Sequence, residues 1–462
     1  MPVDSKSVFF KEKSDEWRLA KDVLEGESAI KSAGELYLPK LKGQTQGTYD
    51  AYKGRGSFFN ASARTVQGLS GAVMRKPVTV EVPKAMESWL KKVTQDGLSF
   101  KDVVKLTVNS LISLGYFGIM VDINSGDAAA MPFLSLYEPQ SIHNFKFAEV
   151  MGSLKLVRLV LGEIEYEEDD TDRFEQVEKK QIRVLELVDN KFLEVQVYRR
   201  GKDEEWFKRG ETLLPNIRGK RLDYIPFQFF GAIANLPIPP KPPLLDLMYQ
   251  NLQHWRLNVD YFHGLHFCAL PTPWAAGFKK EAKLFLGPEK AWISEKPEAT
   301  CGFLEFSGDG LKAIKEALED IARHMAVLGA RLLEEPKRAV EAADTIRLRS
   351  SGDSATLSSI VNSAELGLVG ILRIVAEWMK QADSEIAIDI NKDFVSEKLS
   401  SQDITALLLA VQAGRISMDT FLYNLKVGEI LPEDRSVDDE KDLIEAEGFI
   451  PFKEEEVDID AE

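Results

Sequence analysis

The chain has 462 residues, 44% apolar and 29% charged, a composition that suits two or three soluble globular cores. It contains no run of about 18 apolar residues and no secretory pattern at Met1-Pro2-Val3-Asp4. Its two cysteines, Cys268 and Cys301, are too few for a disulfide framework. A cytoplasmic protein with no bilayer span is therefore expected. The formal net charge of −16 argues against gripping DNA through its phosphates. The same charge also suits a wall past which DNA slides without sticking, so composition leaves both readings open.

The first stretch, to about Tyr52, reads as helix with loops, with a turn at Gly34 and Pro39. Apolar or small residues at helical spacing (Val66, Leu69, Val73) predict a helix from Asn60 to Val73, ended by Pro77. Val78–Val82 follows as a short strand, and a helix capped by Ser99 runs to Leu114 before a turn into a strand at 116–122. From Phe133 to about Phe230 the pattern is β, with strands at 154–161, 181–187 and 192–198. The acidic run Glu165–Asp172 reads as a solvated hairpin loop; it lacks the turn glycine that a calcium loop needs.

The stretch Leu236–Pro243 is proline-rich and marks a stiff boundary. Residues 244–267 then predict a long helix, stopped by Pro271 and Pro273. The insert Ala269–Phe306 has strand-like pieces at 291–293 and 302–306. In the next helix Leu311, Ile314, Leu318, Ile321, Met325, Leu328 and Leu332 alternate by three and four, an apolar seam, with Asp309 as N-cap. Lys312, Lys315, Glu316, Glu319, Asp320 and Arg323 make its charged face, and Pro336 breaks it. A further helix is expected to about Trp378, rich in small residues in its first half. A short strand at 385–390, a helical unit from Ser401 to about Leu425 and a loose acidic tail complete the chain.

No catalytic constellation is present: no phosphate loop ending in Gly-Lys-Ser/Thr, no G-x-S-x-G and no H-E-x-x-H. His263 and His266 lie near Cys268 but lack further ligands at metal spacing, which favours packing; Cys268 and Cys301 read as buried thiols. No cofactor and no metal are expected.

The element order, α/β region, long helix, small insert, long helix, proline-broken loop, third long helix and helical C-terminus, resembles the portal proteins of tailed double-stranded-DNA bacteriophages. Locally, Leu36-Tyr37-Leu38-Pro39, Tyr49-x-x-Tyr52, Phe58-Phe59-Asn60, Arg64-Thr65, Gly68-Leu69-x-Gly71 and Arg75-Lys76-Pro77 are similar to one uncharacterised-domain subgroup of those portals. The resemblance implies an α+β portal fold. Its parts are a wing (1–240), stem helices (241–267 and 308–333) around a clip (268–307), a channel loop (334–344), a wing helix and strand (345–398), a short helical crown (399–428) and an acidic tail (429–462). It implies a non-enzymatic homo-oligomeric ring of twelve subunits at the capsid vertex of the virion, assembled in the host cytoplasm. Its expected partners are double-stranded DNA in transit, terminase, a head–tail adaptor, and the major capsid and scaffolding proteins, with no membrane.

Glu334, Glu335, Lys337 and Arg338 would then lie on the channel loop, with Lys337 and Arg338 either a basic ring touching phosphates or solvated loop charges. The charged face of the second stem helix would line the channel, and the apolar seam would pack the stem. Trp274, Phe278, Phe285 and Trp292 are candidates for the adaptor-binding clip. Another head–tail connector or adaptor, and an enzyme with a helical C-terminal domain, are the competing classes.

Overall fold

The computed structural model describes residues 3–123, 131–150, 152–168, 172, 174–201, 205–217, 219–269, 272–278, 284–285, 291–294, 296–304, 308–329, 343–383, 385–392, 394, 401–427, 430–431 and 435–446. Within them the chain is α+β and divides into two compact units, Met1–Lys392 and Asp393–Glu462.

Side-chain caps set most helix starts in the N-terminal part of the first unit. Ser7 caps α1 (Val8–Glu25), which is followed by α2 (Glu27–Ala33); Thr45 caps α3 (Gln46–Arg55) and Asn60 caps α4 (Ala61–Val73). After β1 (Thr79–Glu81) and the single turn α5 (Lys84–Glu87), Ser99 and Asp102 form a reciprocal capping box on α6 (Phe100–Leu114).

Strands β2 (Tyr116–Asp122) and β3 (Phe133–Tyr137) begin the central sheet. A five-stranded antiparallel meander follows: β4 (Ile142–Val150), β5 (Ser153–Glu168), β6 (Gln176–Val188), β7 (Phe192–Arg200) and β8 (Trp206–Leu213). The small ladder β9 (Asn216–Ile217) and β10 (Lys220–Arg221) leads to β11 (Phe227–Gly231), which pairs with β2 to give the order β11-β2-β3. The proline-rich segment is tied to this sheet where the Tyr116 hydroxyl donates to the Pro237 carbonyl at 2.6 Å.

The rest of the first unit is α7 (Leu245–Ala269), the hairpin β12 (Thr272–Ala276) and β13 (Thr300–Leu304), α8 (Asp309–Val327), α9 (Ala343–Met379) and β14 (Ala387–Asp389). β14 returns to pair antiparallel with β1, Val80 opposite Ile388.

The core joins α6, α9 and the central sheet. Val104, Val108 and Leu111 of α6, Ile119 of β2, Phe230 of β11 and Leu368, Ile371, Leu372 and Val375 of α9 are all buried. Each such side chain contributes about 1.5–3 kcal/mol of burial. Thr356–Met379 is long and apolar enough to cross a membrane, with mean hydropathy 1.5, although Glu365, Arg373 and Glu377 interrupt the run. In this fold it is a core helix. The exposed and intermediate positions between its buried ones carry serine, asparagine and charge, along with Leu366, Val369 and Ile374.

Four expectations change. Half of the acidic run is strand rather than loop: Glu165 and Glu167 of β5 pair with Arg199 of β7 and Arg209 of β8, so cross-strand charge carries the ladder outward. In the insert, the segment containing Pro273 is a strand, tolerated because a two-stranded ribbon is all edge, whereas 291–293 is not. Gly308, at φ +72, is the N-cap of α8, and Asp309 is its first helical residue.

The fourth change is in the second unit, which holds α10 (Ser401–Gln412), α11 (Met418–Val427) and α12 (Val437–Ala446). The start of the acidic tail is thus helical. Ser436 and Asp439 cap α12 reciprocally at 2.9 Å, and Lys441 pairs with Asp419 of α11 at 3.0 Å.

The N-terminal arm is fastened to β4. The Ser7 N–H donates to the His143 carbonyl at 2.9 Å, Asn144 Nδ2 donates to the Ser5 carbonyl at 3.2 Å, and Phe9 stacks on Phe145. His143 lies edge-on to Phe10, and burial, helped by the nearby Lys6 charge, lowers its pKa to about 4. A base with a depressed folded-state pKa binds more protons when unfolded, so its contribution is whole above about pH 6.5 and is lost as pH falls toward 4. Lowering the pH from 7 to 5 should cost the wild type about 1–2 kcal/mol more unfolding free energy than it costs His143→Phe, measured by urea denaturation.

Candidate functional site

The longest helix pair that the sequence singles out is α7 with α8. The two run antiparallel. Leu311, near the start of α8, faces Gly264 near the end of α7, while Ile321 and Met325 share a buried cluster with Leu247 of α7 and Ala61 of α4. A Cβ at Gly264 would stand 2.8 Å from Leu311 Cδ2, so glycine there sets how closely the helices approach. Of the seam, Leu318, Ile321 and Met325 are buried, Leu311 and Ile314 are half-buried, and Leu328, just past the helix, is exposed. Leu332 lies outside the described residues, as do Glu334, Glu335, Lys337 and Arg338 of the expected channel loop.

Lys312, Lys315, Glu316, Glu319, Asp320 and Arg323 are all exposed along the opposite face. Lys312 reaches Glu316 at 4.0 Å one turn on, and Arg323 pairs with Asp320. Exposed pairs of this kind are worth about 0.2–1 kcal/mol, so the face contributes little to the stability of the single chain.

Polar contacts invisible to periodicity hold α7 from the other side. Asn251 is fully buried. Its Oδ1 accepts from the Ser62 backbone N–H at 3.1 Å and from the Ser62 hydroxyl at 3.0 Å, and its Nδ2 donates to the Phe59 carbonyl at 2.8 Å. Two turns on, Asn258 accepts from the Ser57 N–H at 2.9 Å. The Tyr52 hydroxyl donates to Asp260 at 2.5 Å, and that carboxylate together with burial pushes the tyrosine pKa up. Arg256 donates to the Tyr37 carbonyl. Between these contacts Gly56 lies flush on α7, where a Cβ would meet Val259 Cγ2 at 2.4 Å and its Cα at 2.9 Å.

The N-terminal stretch that carries the sequence resemblance is therefore the seat of α7. The one sequence signal for it is the recurrence of Asn251 and Asn258 at seven residues, on one face of α7.

His263 is a packing residue: edge-on to Tyr52 and Phe267, with Nδ1 3.2 Å from Arg55, it has its pKa lowered by burial and by that guanidinium. Among the described residues no group of three or more His, Cys, Asp or Glu is placed to hold a metal. Cys268 is half-buried and Cys301 is exposed, not the buried pair expected: Cys301 lies on β13, one strand of a two-stranded ribbon.

In the hairpin insert Trp274 and Phe285 are exposed, and Phe278 and Trp292 are half-buried; the Trp292 indole N–H donates to the Phe285 carbonyl at 2.8 Å. Phe303, Leu304 and Ile293 add further exposed apolar surface. A cavity of about 160 Å³ between β2 and the five-stranded sheet holds Asp122 and Arg183. Arg183 pairs with Asp122 at 2.6 Å and with Glu163 at 2.9 Å, so these groups satisfy one another rather than forming an acid–base set.

Asn251→Leu should cost about 2–4 kcal/mol, because it leaves the Ser62 donors and the Phe59 carbonyl buried without partners. Gly56→Val should cost about 1–3 kcal/mol by overpacking against Val259. Denaturant midpoints of the purified variants measure both.

Comparison with known proteins gives three results. A family described as a domain of unknown function, DUF4055, matches residues 243–379, from the start of α7 to the end of α9. No curated protein matches. Among solved structures the chain is similar to a chain in the neck of an empty gene transfer agent particle computed with C6 symmetry (11% identity, 87% of this chain and 98% of that one, TM-score 0.41). It is also similar to one in the virion of the native gene transfer agent particle (10% identity, 88% and 99%, TM-score 0.40).

Proposed function

We propose that this chain is a portal protein, the subunit of a ring of twelve at the unique capsid vertex through which genomic DNA is packaged and ejected, and onto which terminase and a head–tail adaptor dock. The observation that carries the reading is the order and packing of α7, the β12–β13 ribbon, α8 and α9. Two antiparallel helices project a small insert between them, and a third long helix returns to the α/β core. Such a pair, stacked side by side around an axis, makes a tube whose far end is the insert.

Two further features support a ring. Tyr249, Phe262, Leu265 and Phe267 of α7 are large apolar side chains left exposed, as expected of a surface covered by a neighbouring subunit. The charged face of α8 repeats once per subunit in a ring, so its three acids and three bases become stacked rings of both signs. A wall of alternating sign offers a duplex no continuous basic track of the kind that counterion release would turn into tight binding. In this reading the ribbon, with Trp274, Phe278, Phe285 and Trp292, is the adaptor surface, and Lys337 and Arg338 supply transient phosphate contacts on the channel loop. The role is mechanical, and the site is the virion.

Negative-stain images and mass measurement of the purified protein should show a ring with a central hole. Twelve subunits of 51.9 kDa total about 620 kDa. A holeless dimer or tetramer would return the enzyme class to favour, and an open ring lacking the tube would favour another connector. Ile321→Pro should abolish the ring by breaking α8 against α7. Lys337→Ala with Arg338→Ala should leave assembly intact and lower the DNA packaged per particle; failure of assembly instead would place those residues at a subunit contact.

A further inference from the structure

Where α3 meets the last turns of α7, one contact joins two basic side chains. Arg55 Nη1 lies 3.2 Å from His263 Nδ1, and the same nitrogen donates to the Ala51 carbonyl at 3.1 Å, one turn back on α3. A guanidinium only donates and stays charged, so the bond requires His263 Nδ1 to accept. The imidazole in this contact is therefore neutral, with its proton on Nε2. Protonation would turn N–H against N–H and set two cations 3.2 Å apart.

The surroundings do not offset that charge. From α3, His263 meets Arg55 and the Tyr52 ring, edge-on with centroids 4.9 Å apart; from α7 it meets Asp260, His266 and the Phe267 ring, with centroids 4.8 Å apart. Arg55 and His266 oppose a charge on the imidazole. Asp260 favours one, but that carboxylate already accepts from the Tyr52 hydroxyl at 2.5 Å. Burial and the two cations prevail, and the His263 pKa lies below the ordinary histidine value. Earlier along the helix, α7 is held by Asn251 and Asn258, whose amides do not titrate.

We propose that Arg55 and His263 form a proton-sensitive latch between α3 and the end of α7, closed while the imidazole is neutral and opened when it takes up a proton. The closed joint binds fewer protons than the open one. Closure is therefore complete above about pH 6.5 and weakens as pH falls through the His263 titration. Opening is local, because the amide contacts keep the first half of α7 seated. What it frees is the stretch from Asp260 onward, which leads into the β12–β13 ribbon. The inference does not depend on the ring assembly.

The test uses full-length protein and two exchange measurements by mass spectrometry. Deuterium exchange at the imidazole C2 position, followed against pH, gives a titration midpoint for each histidine. The His263 midpoint is expected below about 6.5, and Arg55→Gln should raise it toward that value. Amide exchange in α3 and the end of α7, corrected for the intrinsic pH dependence, should quicken about two- to fivefold as His263 titrates, as suits a half-exposed charge pair. His263→Phe keeps a ring against Tyr52 and Phe267 and should abolish that quickening. It leaves His143 in place, so acid effects at the N-terminal arm are common to both proteins. Arg55→Gln should abolish it too, since a glutamine amide can donate to a neutral imidazole or accept from a protonated one. Melting temperatures at neutral pH establish that the variants fold. The proposal is overturned by a His263 midpoint that Arg55→Gln leaves unmoved, by quickening that persists in His263→Phe, or by α3 exchange that does not respond to pH in the wild type.

Discussion

The buried amide of Asn251 is the contact on which the placement of the helical half depends. It is fully buried and meets three backbone and hydroxyl groups of the loop and helix start at 59–62. An apolar interface alone allows α7 to slide or rotate by a residue with small loss, since one leucine replaces another. A buried amide does not, because any other register strands its donors and acceptor away from water. With α7 fixed in this way, α8 follows through the contact of Leu311 with Gly264 and the cluster around Ile321 and Met325. The ribbon between them is then aimed by both helix ends.

Charge is organised as deliberately as the apolar core. Within the five-stranded sheet Arg183 is answered by Asp122 and Glu163, and Arg199 by Glu165 and Glu167. Where surface is free, as on α8, the pairs are local and weak, and both signs occur along the helix. Net charge alone therefore misdescribes the molecule: a total of −16 coexists with a self-neutralised sheet face and a helix face of mixed sign.

Elements defined by their own residues were legible in the sequence: the capped helices from Asn60 and Ser99, the meander strands, and the apolar seam of α8. Elements defined by a distant partner were not. Glu165 to Glu168 read as loop because three glutamates in four residues lack β propensity, and only Arg199 and Arg209, more than thirty residues on, make them strand. β14 and β1 were each expected as short strands, but nothing in either sequence said that they pair with one another across some three hundred residues. The strand through Pro273 contradicts local propensity and survives because its ribbon has no interior. At the site, the seam and the charged face of α8 could be read from spacing, whereas the seat of α7 at Tyr52, Gly56, Ser57 and Ser62 could not, since nothing local says what a tyrosine or a glycine touches.

That last difference has a physical reason on the proposed function. In a ring that conducts a polymer, a lining side chain acts only through charge repeated around the axis, and many residues at many positions serve equally. The angle of α7 has no such freedom. An error of a few degrees in one subunit is multiplied by every neighbour, and a ring that must close tolerates little of it. The residues that set that angle are a glycine with no room for a Cβ, a tyrosine on an aspartate and an amide with three partners. On the proposed function, these residues of the N-terminal stretch hold the tube at its working angle, whereas the channel face acts through charge repeated around the axis.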